Sequence, residues 1–284
     1  MGRLWCGDGG GCRSRDHRWE TDAVARPESA TSTFSQEAYA TTSIPVDNRP
    51  RGTGGNASNA ELRAQARGAL SGNWTPGVLG LFLFWVFTTV AGLVPFIGGL
   101  VQFVVSGPLS IGLDKLFLAI NRQAEAKVDI LFNGFRQFLQ GLGIYFFTAL
   151  FIGLAVLTAA APGAIMAYLG YQQFPGSPEE SQLFIAGLVL AAVGGVIAGI
   201  FMYLRYALVY FIAADEPGCG VFTPIRTSVS LMKGRKGKLF MLYFSFIGWH
   251  FLGLLTFGVG WLWSVTYQSV AIAAFYDDLE DSAS

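Results

Sequence analysis

Apolar residues in this chain run in long unbroken stretches, without the polar face of a soluble helix or the alternation of a strand. From Gly77 to Leu113 there is no charged residue, and from Leu239 to Tyr276 there is none again. Leu81–Phe87 and Leu150–Leu157 are apolar all round. A soluble amphipathic helix keeps one polar side, so these stretches predict helices immersed in lipid. A helix rises about 1.5 Å per residue and needs about 20 residues to cross a hydrocarbon core of about 30 Å. Spans are therefore predicted near 77–97, 99–120, 141–161, 183–213, 238–257 and 259–276. The first begins after Pro76, and the third is expected to stop at Pro162-Gly163. The fourth, about 46 Å long at that rise, must tilt, kink near Gly194-Gly195 or project into the interface.

Between these stretches the pattern changes. Val128, Leu131, Phe132 and Phe135 share one face at helical spacing, as do Phe222, Ile225, Val229 and Met232. Leu62, Ala66, Ala69 and Leu70 form a weaker version. Such helices lie in the membrane interface, apolar side down. Each closes on two apolar residues, a polar one and glycine: Ala69-Leu70-Ser71-Gly72, Leu131-Phe132-Asn133-Gly134 and Leu231-Met232-Lys233-Gly234. One unit is then an interfacial helix, a turn at glycine and a helical hairpin. Three parallel copies would make an all-α, six-helix membrane bundle with pseudo-threefold order. Against repetition stands the commonness of glycine at the start of membrane helices.

Composition agrees with lipid as the solvent. Of 284 residues, 52% are hydrophobic and 13% charged, against about 25% charged in a typical soluble domain; mean hydropathy is +0.45. The formal net charge of +0 conceals an alternation. Arg63 and Arg67 precede the first span. Arg122, Lys127 and Arg136 follow the second, and Arg226, Lys233, Arg235 and Lys236 follow the fourth. The other three connections hold no Lys or Arg. Basic residues collect on the cytoplasmic side, so the expectation is a multi-pass protein of the cell (inner) membrane with both termini cytoplasmic. The basic residues form no continuous stripe, which argues against nucleic acid as a partner.

Residues 1–60 are polar, lack apolar periodicity and predict a disordered segment. The membrane domain is expected over 61–279, followed by an acidic tail at 280–284. Cys6, Cys12 and His17 are a conceivable metal set, but their spacing matches no zinc pattern, and neither metal nor cofactor is expected.

The C-terminal third carries a denser motif. Met232-Lys233-Gly234-Arg235-Lys236-Gly237-Lys238 leads to Ser245-Phe246-Ile247-Gly248-Trp249. Then come Gly258-Val259-Gly260-Trp261-Leu262-Trp263 and the terminal Phe275-Tyr276. This resembles the DUF 975 family, bacterial integral membrane proteins of unknown function. Glu61–Arg67 resembles the family's entry segment, and Arg205-Tyr206 with Asp215 and Pro217 resembles its fourth-helix exit. The plan is similar to the membrane domain found beside some glycerophosphodiesterase domains. The pattern departs from the family at Thr266-Tyr267, where Pro-Tyr is usual. The resemblance implies a membrane bundle and no particular activity.

Candidate chemistry is sparse. Arg205 is a charge at membrane depth, which is costly and often functional; the plainer reading is that it snorkels to the interface or pairs with Asp215. Asp114 and Lys115 are candidates for an ion-coupling pair or a solvated helix end. His250 is a candidate titrating group or a histidine bonded to its neighbours. Arg226, Lys233, Arg235, Lys236 and Lys238, with Arg205, are candidates for anionic lipid headgroups. No catalytic motif is present, so a non-enzymatic, lipid-interacting or membrane-assembly role is expected. A membrane-protein partner or homo-oligomer is compatible with it. A small-solute transporter is the alternative, and a lipid-modifying enzyme the least favoured.

Overall fold

The computed structural model describes residues 55–173, 181–256 and 258–282. Its described residues form helices and turns, without strands. Five helical stretches are long and apolar enough to cross a membrane: Trp74–Gly92, Gly98–Asn121, Ile130–Gln173, Gln182–Asp215 and Lys236–Leu255. The chain is an all-α helical membrane bundle. The sixth expected span falls in Val259–Asp281, long enough at 23 residues but less apolar. Its second half explains why: every residue from Val270 to Leu279 is buried against protein. A helix shielded by its neighbours can carry Thr266, Gln268 and acidic residues that lipid would not tolerate.

The helices come as three units. α1 (Asn59–Leu70) leads into the hairpin of α2 (Trp74–Gly92) and α3 (Gly98–Asn121). α4 (Ile130–Asn133) continues through a 3-10 turn into the hairpin of α5 (Phe138–Gln173) and α6 (Gln182–Tyr206), which α7 (Val209–Asp215) extends. α8 (Phe222–Leu231) leads into α9 (Lys236–Ser245) and α10 (Ile247–Leu255), which pair with α11 (Val259–Asp281). The contacts close a ring. α4 packs on α3, α8 packs on α7, and α1 packs on α11, so each leading helix rests on the last helix of another unit.

Several boundaries differ from the sequence expectation. α5 does not stop at Pro162 but continues to Gln173. Gly163 lies so close to Gly187 and Ala191 of α6 that a Cβ there would strike backbone. Packing of small residues on a neighbouring helix holds a proline-containing membrane helix together. The fourth span is continuous at Gly194-Gly195 and breaks instead at Ala207-Leu208. The fifth is broken at Phe246. The repeated glycine does two different jobs. Gly72 and Gly234 take φ of +92° and +77°, a region that favours glycine. Gly134 has a helical φ of −60°, and its Cβ would collide with the Pro108 carbonyl.

The described residues begin inside the expected segment of residues 1–60. Gly55 and Ala57 donate backbone N–H bonds to the Asp278 carboxylate at 3.2 and 3.3 Å. Ser58 and Glu61 then form a reciprocal cap on α1, a bond that also holds the Glu61 carboxyl below its ordinary range. Cys6, Cys12, His17 and the rest of residues 1–54 lie outside the described residues, as do 283–284. Of the expected acidic tail at 280–284, Glu280 and Asp281 belong to the last turn of α11, after the buried Asp277 and Asp278.

Candidate functional site: a charged layer, a tyrosine cavity and a basic surface

The last helices of the three units end in charge. Arg122 caps α3, Asp215 ends α7, and Asp277 lies in the last turns of α11. The three meet. The Arg122 guanidinium donates to Asp215 at 2.6 and 3.0 Å and to Asp277 at 2.6 and 3.1 Å. Asn121 donates to Asp277 at 2.7 Å, and the Tyr276 hydroxyl donates to Asp215 at 3.3 Å. Glu280 sits 3.8 Å from Arg122. The Arg122 side chain has no solvent exposure. Burial weakens its hold on its proton, and the two carboxylates more than offset this, so its pKa stands above the ordinary arginine value. The planar fork of arginine can bond two carboxylates at once, which the lysine ammonium cannot match. This cluster fixes the three hairpins to each other.

Eight residues before each of these charges lie Asp114, Ala207 and Ser269. All three line one cavity of about 380 Å³. Its other walls carry Tyr145, Tyr203, Tyr206, Tyr210 and Tyr243. The hydroxyls of Tyr203 and Tyr243 lie 3.3 Å apart. Tyr206 is packed against Phe151, and Tyr145 meets Phe103 edge to face. Asp114 makes no hydrogen bond or ion pair with any described residue, although it lines this cavity. The buried hydroxyl of Thr148, on the cavity wall, also finds no partner among the described residues. Lys115, the sequence neighbour of Asp114, is buried but does not line the cavity. The two are therefore not brought together as a pair.

The basic candidates divide into two groups. Lys238 is tied into the fold: its ammonium donates to the Gly55 carbonyl at 3.0 Å and to Asp278 at 3.3 Å. Arg235 donates to Ser282 at 2.9 Å and covers Gly55. Arg205, Arg226, Lys233 and Lys236 form no ion pair with any described residue. Arg205 and Lys236 are near enough to repel each other electrostatically. The Lys236 ammonium lies 3.7 Å from the centre of the Phe201 ring, one turn before Arg205 on α6. The buried Nε of Arg205 has no partner among the described residues.

His250 is placed among hydrogen-bonding neighbours. Its Nδ1 is 2.7 Å from the Ser264 hydroxyl and its Nε2 is 2.9 Å from Gln268 Oε1. The motif residues mostly shape the chain. Gly258 starts α11 at φ +82°, and Gly260 packs against Gly253 in the hairpin. Ser245 bonds the Leu242 carbonyl where α9 ends. Gly248 faces open space, and Trp249 and Trp263 are exposed. Phe275 is fully buried, and Tyr276 joins the charged cluster. Sequence reasoning did not single out Arg122, Asp277 or the tyrosine set. Their signal is the recurrence of a charge at the end of each unit, with a second set of positions eight residues earlier.

A family model described as "Protein of unknown function (DUF975)" matches residues 57–283. No curated protein and no solved structure matches the chain.

Proposed function

The chain belongs to the DUF975 family, and we propose that it is a non-enzymatic inner-membrane protein whose Arg205–Lys236 surface holds anionic lipid headgroups. In this reading it is a multi-pass protein with both termini cytoplasmic. The observation that carries the proposal is the pair itself: the Lys236 ammonium sits over Phe201, one turn before Arg205, within electrostatic reach of it, and neither cation has an acidic partner among the described residues. Arg205 lies one residue before the end of α6 and Lys236 at the start of α9. Like charges held this close are repulsive, and a phosphate between them reverses the sign. Each basic residue near an anionic surface contributes about 1 kcal/mol to lipid attraction. Arg226 and Lys233 are exposed on the neighbouring α8 segment and extend the surface.

The test is native mass spectrometry of the protein released from its own lipid. The wild type should retain phosphatidylglycerol or cardiolipin, and the Arg205→Gln/Lys236→Gln double variant should retain several-fold less. Lys127→Gln, which removes an exposed lysine already paired with Glu125, should change nothing. Equal retention by the double variant overturns the lipid proposal. A second polypeptide held in place of lipid would favour the assembly role, and a retained small solute would favour transport.

A further inference from the structure

Neither Arg205 nor Lys236 lines the tyrosine cavity, and nothing in the lipid proposal requires it. A carboxylate in the membrane domain without a hydrogen bond is expensive to maintain. Asp114 is such a group, and it lines a space of about 380 Å³ instead of solid packing. Pockets for small organic molecules begin at about 300 Å³. The wall is built for one sign of charge. Tyr145, Tyr203, Tyr206, Tyr210 and Tyr243 supply aromatic rings and hydroxyl oxygens, and aromatic faces attract cations. No Lys or Arg lines the cavity. Thr148, 8% exposed, adds a hydroxyl that no described residue satisfies. A divalent metal would want six or more oxygen ligands, several of them charged, and here there is one carboxylate. Tyr203 is 54% exposed, so the cavity meets the surface between α6 and α9.

We infer that this cavity binds an organic ammonium ion, its nitrogen on the Asp114 carboxylate and its carbon skeleton against the tyrosine rings. The ammonium donates to Asp114, and where it carries further N–H groups the Thr148 and tyrosine oxygens accept them. The organic part fills the space that a bare inorganic cation would leave to water. Asp114, Ala207 and Ser269, each eight residues before a charge of the Arg122 cluster, meet on this cavity, and two of the three are small, which leaves room.

Benzylamine is the probe, and benzyl alcohol is its uncharged counterpart of nearly the same shape. Protein reconstituted in nanodiscs of phosphatidylglycerol alone offers no lipid ammonium group. Titration calorimetry there should show saturable benzylamine binding, at least tenfold tighter than benzyl alcohol. Asp114→Asn should lose that preference. Ala149→Phe, which fills the cavity and leaves Asp114 in place, should abolish binding even if the first variant folds poorly. Absence of saturable benzylamine binding to the wild type overturns the inference. So does equal binding of the alcohol, undiminished binding by Ala149→Phe, or displacement by sodium chloride as effective at the site as the amine. Adding phosphatidylethanolamine to the nanodiscs then separates sources. Competition would identify a lipid ammonium headgroup as an occupant, and its absence a free amine; both uphold the ammonium site.

Discussion

The Arg122 guanidinium lies 2.6 Å from the Asp277 carboxylate across 155 residues of chain, with both side chains buried. A buried ion pair is weak evidence of net stability, because desolvating both charges is costly. Removing one partner is a different matter, since it strands the other. Arg122→Met leaves Asp215 and Asp277 without their shared counter-charge, and should cost roughly 3–5 kcal/mol. Arg122→Lys should also be destabilising, because one ammonium cannot span both carboxylates. The Arg122→Met/Asp277→Asn double variant should be more stable than the two single effects added together. Thermal unfolding in detergent, followed by intrinsic fluorescence, measures all of these. Additive effects would show that the pair is not coupled.

Backbone contact between helices gives a second prediction. A Cβ on Gly112 would run into the Leu131 carbonyl, and one on Gly107 into the backbone at Gly141. Neither neighbour is a flexible side chain, so the helices must separate. Gly112→Ala should lower stability by about 1–3 kcal/mol or more. Gly199→Ala meets only the Val156 side chain at 3.6 Å, an ordinary contact, and should be close to neutral. The same unfolding measurement compares them, and similar losses would contradict the packing described here.

The sequence revealed the bundle more readily than its interior. Long apolar stretches state directly which helices are long and apolar enough to cross a membrane, so Trp74–Gly92 and Gly98–Asn121 are legible to within a few residues. The amphipathic faces of α1 and α8 were readable for the same reason: Leu62, Ala66, Ala69 and Leu70 are buried, as are Ile225 and Met232. Breaks inside helices were not. Pro162 suggests a stop, but the stop is overridden by the close approach of Gly163 to α6, which is a tertiary fact. Nothing in the sequence marks Arg122 and Asp277 as partners, because a charge beside an apolar stretch gives no sign of what faces it. Tyr203, Tyr206 and Tyr210 carry no sign in sequence of a shared cavity, and only the meeting of α3, α5 and α6 makes them its wall.

Gly234 separates backbone strain from packing. Its φ is +77°, and no atom lies within 4 Å of the place a Cβ would occupy, so alanine there meets strain but no collision. Gly234→Ala should cost about 1–2 kcal/mol, the penalty of the left-handed region for a residue with a Cβ. Gly134→Ala has the reverse cause, a helical φ and a blocked Cβ. Asparagine, which tolerates positive φ, should rescue position 234 in part and position 134 not at all. Equal rescue at both positions would contradict the distinction.

Cys219 tests the local electrostatics outside the membrane helices. Burial pushes its thiol up to about 12, helped by the nearby Glu216 carboxylate, to which the thiol donates at 3.5 Å. The thiolate is the form that reacts, so at pH 8 its reactive fraction is about three orders of magnitude below that of an ordinary cysteine of pKa about 8.5. Alkylation by iodoacetamide, followed peptide by peptide to separate Cys219 from Cys6 and Cys12, should rise about tenfold per pH unit from pH 8 to 11. It should show no plateau near pH 9. Glu216→Gln removes the negative charge that disfavours the thiolate, so the variant should react faster at every pH in this range. A plateau near pH 9 in the wild type would mean that Glu216 and burial leave this thiol unperturbed.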